Sequence, residues 1–192
     1  MPSLIGPIAI DFETYVSKKL RHSLTVQIAE QYCRSPHFDP YMISASDGSS
    51  CWAGHPRDFN WNILTNRVVL AHNKYFEHNV WLELARRGWT NPPDFKEFHC
   101  TANLTSYLCN RRALGPAVEH LLKIRLKKEV RESALDRHYP QDFSIEEQTA
   151  MLEYARQDAF YCWALWDKFN SQWPEFERRL SNLTIEQGMR GV

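Results

Sequence analysis

The chain has 192 residues, with 23 basic and 23 acidic side chains, and so no formal net charge. That length suits one domain with a proper core and is too short for two large ones. Hydrophobic residues at 43% and charged residues at 24% exclude an extensively disordered chain. Charge balance excludes a strongly basic surface, so any hold on nucleic acid must come from local charge and metal ions.

No apolar run approaches the length of a bilayer span, and the first residues lack a basic-then-apolar leader pattern. Cys33, Cys51, Cys100, Cys109 and Cys162 are odd in number and never form C-x-x-C. No membrane association, no disulfide framework and no zinc site are therefore expected, and the reducing cytoplasm is the expected compartment.

In chain order, residues 8–10 (I-A-I) form a short β-prone run ending at Asp11. Residues 24–32 and 41–45 are also strand-like, with Ser46-Asp47-Gly48 as a turn, which predicts an antiparallel meander. Residues 59–64 suit a short helix and residues 67–71 a buried strand. A helix is predicted over 75–87, stopped by Gly88, with a loop at Pro92-Pro93. Leu104, Tyr107 and Leu108, then Val118, Leu121 and Leu122, fit two shorter helices broken near Gly115-Pro116. Ser144 with Glu147 has capping-box spacing and opens a long helix to about residue 169, after which Pro174 breaks the chain. Strands first and helices later give an α+β class: one domain over 1–192, with its core at about 8–169 and a helical extension at about 174–192.

Three short segments carry the chemistry. Asp11 and Glu13 are two apart on a strand and so share a face. Asn73 and Glu77 follow the strand over 67–71, where plain capping and a first-turn acid would explain them. Tyr154 and Asp158 are i and i+4 on the long helix, beside the apolar Phe160, Trp163, Ala164 and Trp166. A partly buried carboxylate there needs a cation or hydrogen bonds to stay charged. Each segment alone has a bland reading; in this order they read jointly as a two-metal phosphodiesterase site.

This joint pattern resembles the DEDD 3′–5′ exonuclease superfamily of the ribonuclease H-like fold, across residues 8 to about 169. Within it, the pattern looks like the tyrosine subclass and the proofreading domains of family A DNA polymerases, phage-type ones included. D-x-E falls on Asp11 and Glu13, the second motif on Asn73 and Glu77, and Y-x-x-x-D on Tyr154 and Asp158. Glu153 stands where the histidine subclass would carry its His.

The resemblance implies a mixed β-sheet, antiparallel meander plus parallel strands, flanked by α-helices. It implies two divalent ions, Mg²⁺ or Mn²⁺, with Asp11 bridging, Glu13 and Asp158 completing the nucleophile side, and Glu77 on the leaving-group side. Tyr154 would orient the attacking water, and Asn73 and Thr14 would position the terminal nucleotide. The implied substrate is single-stranded DNA or a DNA 3′ terminus, trimmed to nucleoside 5′-monophosphates. A polymerase domain or subunit is the implied partner, and host cytoplasm the location if the chain is phage-encoded. The C-terminal E-Q-G-M-R-G-V looks like an interrupted continuation, as if a polymerase domain followed. The alternatives are an exoribonuclease with the same acids, or a catalytically impaired domain that binds single strands or a polymerase.

One departure stands out: the second motif usually ends in Asp, and Glu77 adds a methylene expected to push its carboxylate outward. His78 beside it is read as solvent-exposed, and Trp163, Trp166 and Trp173 as packing for the long helix. The basic run of Lys123, Arg125, Lys127, Lys128 and Arg131 reads first as a solvated helix face, with a phosphate track as the second reading.

Overall fold

β1 (Ile8–Thr14) lies at the middle of a five-stranded sheet ordered β3-β2-β1-β4-β5. Its neighbours are β2 (Pro40–Ser46), running antiparallel, and β4 (Val68–Ala71), running parallel. β3 (Cys51–Gly54) returns antiparallel beside β2, and β5 (Glu97–Cys100) lies parallel beside β4. This computed structural model describes residues 4–126 and 129–191.

Strand alternation divides β1 between two cores. Ile8, Ile10 and Phe12 enter one cluster with Tyr32 and Cys33 of α1 (Ala29–Arg34) and Phe76, Val80 and Leu84 of α2 (Lys74–Arg86). Ala9 faces the other side and packs with Leu70, Cys162 and Trp166. The same parity sends Asp11 and Glu13 to that second side.

The second side is covered by α6 (Ile145–Phe169), opened by the predicted capping box: Ser144 Oγ accepts from the Glu147 amide while Glu147 accepts from the Ser144 amide. Ala155 and Ala159 are fully buried, and their small size lets the helix axis lie close to the sheet. At the β2–β3 turn, Gly48 has φ +82°, and a Cβ there would stand 2.3 Å from the Trp163 ring of α6. Only glycine meets both demands. Trp166 of this helix and Trp173 just beyond it are buried in the same cluster as Ala9 and Leu70, as expected for packing residues.

α3 (Thr101–Cys109), α4 (Leu114–Leu122), the short α5 (Glu129–Ser133) and α7 (Glu175–Met189) complete the helical layer. Pro174 caps α7, so the predicted break is where the chain restarts.

Several expectations fail. Residues 24–32 form no strand: Leu24, Val26 and Ile28 alternate but are 42–57% exposed, and the segment ends in α1. Ala29, Tyr32 and Cys33 carry the helical i, i+3, i+4 burial that decides it. The meander exists, built instead from β1, β2 and β3. The short helix expected over 59–64 is present, as a 3₁₀ helix over Trp61–Leu64. The break before α4 falls at Asn110, which is left-handed at φ 54°, and not at Gly115-Pro116. Pro116 sits in the first turn of α4, where its missing N–H goes unneeded. β5 was not foreseen, because residues 97–100 (E-F-H-C) lack a strand-like run.

Candidate active site

Asp11, Glu13 and Asp158 each offer a carboxylate oxygen within 4.8 Å of the other two, and all three are half-buried. Among the described residues they form the one such group of potential metal ligands. β1 supplies the pair by its alternation, and α6 supplies the third acid from the helix lying across that face. Three carboxylates this close repel one another, and an oxygen-binding divalent cation is the natural relief. An all-oxygen donor set favours Mg²⁺ or Mn²⁺ over zinc.

One turn before Asp158, the Tyr154 hydroxyl hydrogen-bonds the Asp158 carboxylate. Burial, then the charges of Glu13 and Asp158, hold the phenol far above its ordinary pKa. It is therefore neutral and a donor, with its oxygen lone pairs left as acceptors.

Glu77 occupies the first turn of α2 and is only 3% exposed. The expected outward displacement is not what the structure has: the longer side chain turns inward. Burial raises its pKa well above the usual range, and the charges of Asp11 and Glu13 raise it further. The Phe12 amide donates to the carboxylate and opposes that shift. Its Oε2 is buried without a hydrogen-bond partner. Glu77 stands beside the three-acid group and not within it. An orphaned carboxylate oxygen next to three converging acids fits a cation that would satisfy it.

His78 is half-buried, not exposed; its ring lies 5.8 Å from Phe98 and 5.9 Å from Phe95, and burial pushes its pKa down to about 4. Asn73 is the N-cap of α2, yet its side chain makes no capping bond. Its backbone carbonyl serves the amides of Phe76 and Glu77 instead.

Asp11, Glu13, Thr14, Asn73, Glu77, Tyr154 and Asp158 all line a single cavity of about 950 Å³. Thr14 keeps the face of Phe12, its hydroxyl 2.7 Å from that of Tyr32, and still lines the cavity, as Phe12 and Tyr32 do; the pairing jump from Glu13↔Met42 to Thr14↔Pro40 places its extra residue, Tyr41, on β2.

The cavity also holds residues the sequence did not single out: Lys18, Tyr32, Tyr41, His72 and Arg112. His72 bonds Thr101 Oγ1 through Nδ1 at 2.9 Å and the Arg112 carbonyl through Nε2 at 2.7 Å. A carbonyl only accepts, so Nε2 carries the proton and Thr101 donates to Nδ1. Burial holds the His72 pKa down to about 4. Lys123 and Arg125 are exposed and outside the cavity lining, but they follow the end of α4 at Leu122, so the solvated face expected there is not a helix face. Lys127, Lys128 and the side chain of Arg131 lie outside the described residues.

No family model matches the chain, and no curated protein matches it in sequence. Solved structures do match in shape. NrnC from Brucella melitensis with bound Mg²⁺ aligns with a TM-score of 0.63 at 17% identity, over 96% of this chain and 82% of NrnC. NrnC bound to pGG aligns at 0.57 and 16%, with the same coverage. The catalytic core of RRP6 from Trypanosoma brucei aligns at 0.53 and 16%, over 93% of this chain and 42% of that one. Identities this low speak to fold alone: the mixed sheet and its flanking helices form a ribonuclease H-like α+β fold.

Proposed function

We propose that this chain is a divalent-metal-dependent 3′–5′ exonuclease that releases nucleoside 5′-monophosphates from a nucleic-acid strand. The observation that carries it is the meeting of Asp11, Glu13 and Asp158 within 4.8 Å in a cavity of about 950 Å³. Mg²⁺ bound to NrnC, whose fold this chain shares, supports the choice of metal.

In this reading Asp11, Glu13 and Asp158 hold two cations, with Glu77 on the leaving-group side. Bound there, such cations would supply an acidified water and neutralise charge developing on the phosphate. Tyr154 donates its hydroxyl hydrogen bond to Asp158, so its oxygen is free to accept a hydrogen bond from the attacking water and aim it. Water adds to phosphorus and loses a proton to solvent as the bond to the 3′ oxygen breaks; that oxygen takes a proton from solvent and stays on the shortened strand, leaving the phosphate on the released nucleotide. Thr14 and Asn73 face the terminal nucleotide.

DNA is the substrate the sequence resemblance puts first. The fold shared with RRP6 and with NrnC bound to the oligonucleotide pGG supports the exoribonuclease reading alongside it. A proofreading role beside a polymerase is the narrower form of the DNA reading, and would show as preferential removal of a mismatched 3′ nucleotide.

The test is a pair of 5′-labelled strands, DNA and RNA, incubated with Mg²⁺, Mn²⁺ or EDTA. A descending ladder that needs metal supports 3′–5′ trimming, and the faster strand names the sugar. Internal cuts contradict it, and stoichiometric binding without metal-stimulated cleavage would instead mark an impaired binding domain.

A further inference from the structure

Tyr32 plays no part in the reading above, yet it is fully buried and fixed at the edge of the cavity. It stacks on His22 at 4.2 Å and meets Phe38 edge-on at 5.6 Å. That packing sets its hydroxyl between Thr14, the last residue of β1, and Tyr15 just beyond it. The phenol donates to the Tyr15 carbonyl at 2.6 Å and lies 2.7 Å from Thr14 Oγ1.

A phenol has one proton, and here the Tyr15 carbonyl takes it. The Thr14 hydroxyl must therefore donate to the phenol oxygen. Its own proton is committed, and toward the cavity it offers lone pairs only. Beside it Glu13, when ionised, is likewise an acceptor. Both side chains line the one cavity beyond the end of β1.

We propose that Tyr32 is a positioning residue: it locks Thr14 as an acceptor, so that the site selects strand ends whose terminal sugar carries a hydroxyl donor. This rests on the exonuclease reading and adds the chemistry of the end that is taken. The donor is a 2′ or a 3′ hydroxyl, and the experiment separates the two.

Four otherwise identical strands are compared, ending in a ribonucleotide, a 2′-deoxy, a 3′-deoxy or a 2′,3′-dideoxy nucleotide. Wild-type protein should show kcat/KM about 10-fold higher on at least one hydroxyl-bearing end than on the dideoxy end. Tyr32→Phe keeps the ring stack and frees the Thr14 proton, so the ratio should fall toward one. Thr14→Val should do the same, while Thr14→Ser should preserve the ratio. A merely structural Tyr32 would lower activity on every end equally. An unchanged ratio in a folded Tyr32→Phe protein, or a wild type indifferent to the sugar, overturns the inference alone. No trimming of any end by the wild type overturns the exonuclease reading and this inference with it.

Discussion

Asp11 and Asp158 bring carboxylate oxygens within 4.8 Å of each other from opposite ends of the chain, one on the central strand and one on the helix across it. Burying like charges together opposes folding unless a cation intervenes. Asp11→Ala should therefore leave the fold intact while lowering metal-stimulated hydrolysis by at least about a hundredfold. It should also abolish the rise in Tm that Mg²⁺ gives the wild type. At a hundred times Kd that stabilisation is about 2.7 kcal/mol. Thermal melts with and without Mg²⁺ check it, and near-normal turnover would remove Asp11 from the site.

Tyr154 is bound to a ligand side chain and is not itself needed to hold a cation. Tyr154→Phe should cut the rate by about 10-fold to 100-fold while retaining the Mg²⁺-induced shift in Tm. Single-turnover rates alongside melts separate the effects. Unchanged rates would end the water-orienting role.

Glu77 bears a raised pKa because it is buried near Asp11 and Glu13. A carboxyl whose folded pKa lies above its unfolded value gives stability that is lost as pH rises through the folded value. At neutral pH without metal, Glu77→Gln should therefore stabilise the protein by about 1 kcal/mol, roughly 2–4 °C in Tm. The same variant should lose metal-stimulated activity. A lower Tm in EDTA would show that the ionised carboxylate is satisfied by the protein itself.

His72 and His78 both have pKa values pushed down to about 4 by burial. Their folded values lie below the unfolded one of about 6.5. No penalty applies above that pH; it grows as pH falls and is complete below about 4. The loss is at most about 3 kcal/mol for each residue, less where water reaches the ring. His72→Gln should flatten the dependence of urea-unfolding stability on pH across that window. An identical slope in the variant would contradict the buried neutral ring.

What the sequence made legible was short-range. The Ser144–Glu147 box, the i, i+4 pair of Tyr154 and Asp158, and the D-x-E parity each follow from local geometry, and each element lies where expected. Residues 24–32 misled because Leu24, Val26 and Ile28 alternate like a half-buried strand while remaining exposed. β5 was hidden because Phe98, His99 and Cys100 owe their burial to neighbours elsewhere in the chain. In the site, the inward turn of Glu77 depends on the Phe12 amide, and His72 depends on Thr101 and Arg112. Those partners are tertiary, so no spacing rule exposes them.

Anomalous diffraction from crystals grown with Mn²⁺ tests the centre of this account most directly. The prediction is a strong peak about 2.0–2.2 Å from oxygens of Asp11, Glu13 and Asp158, lost in the Asp11→Ala protein. Clear density for those side chains with no peak among them, under conditions where the protein still cleaves a strand, would contradict it.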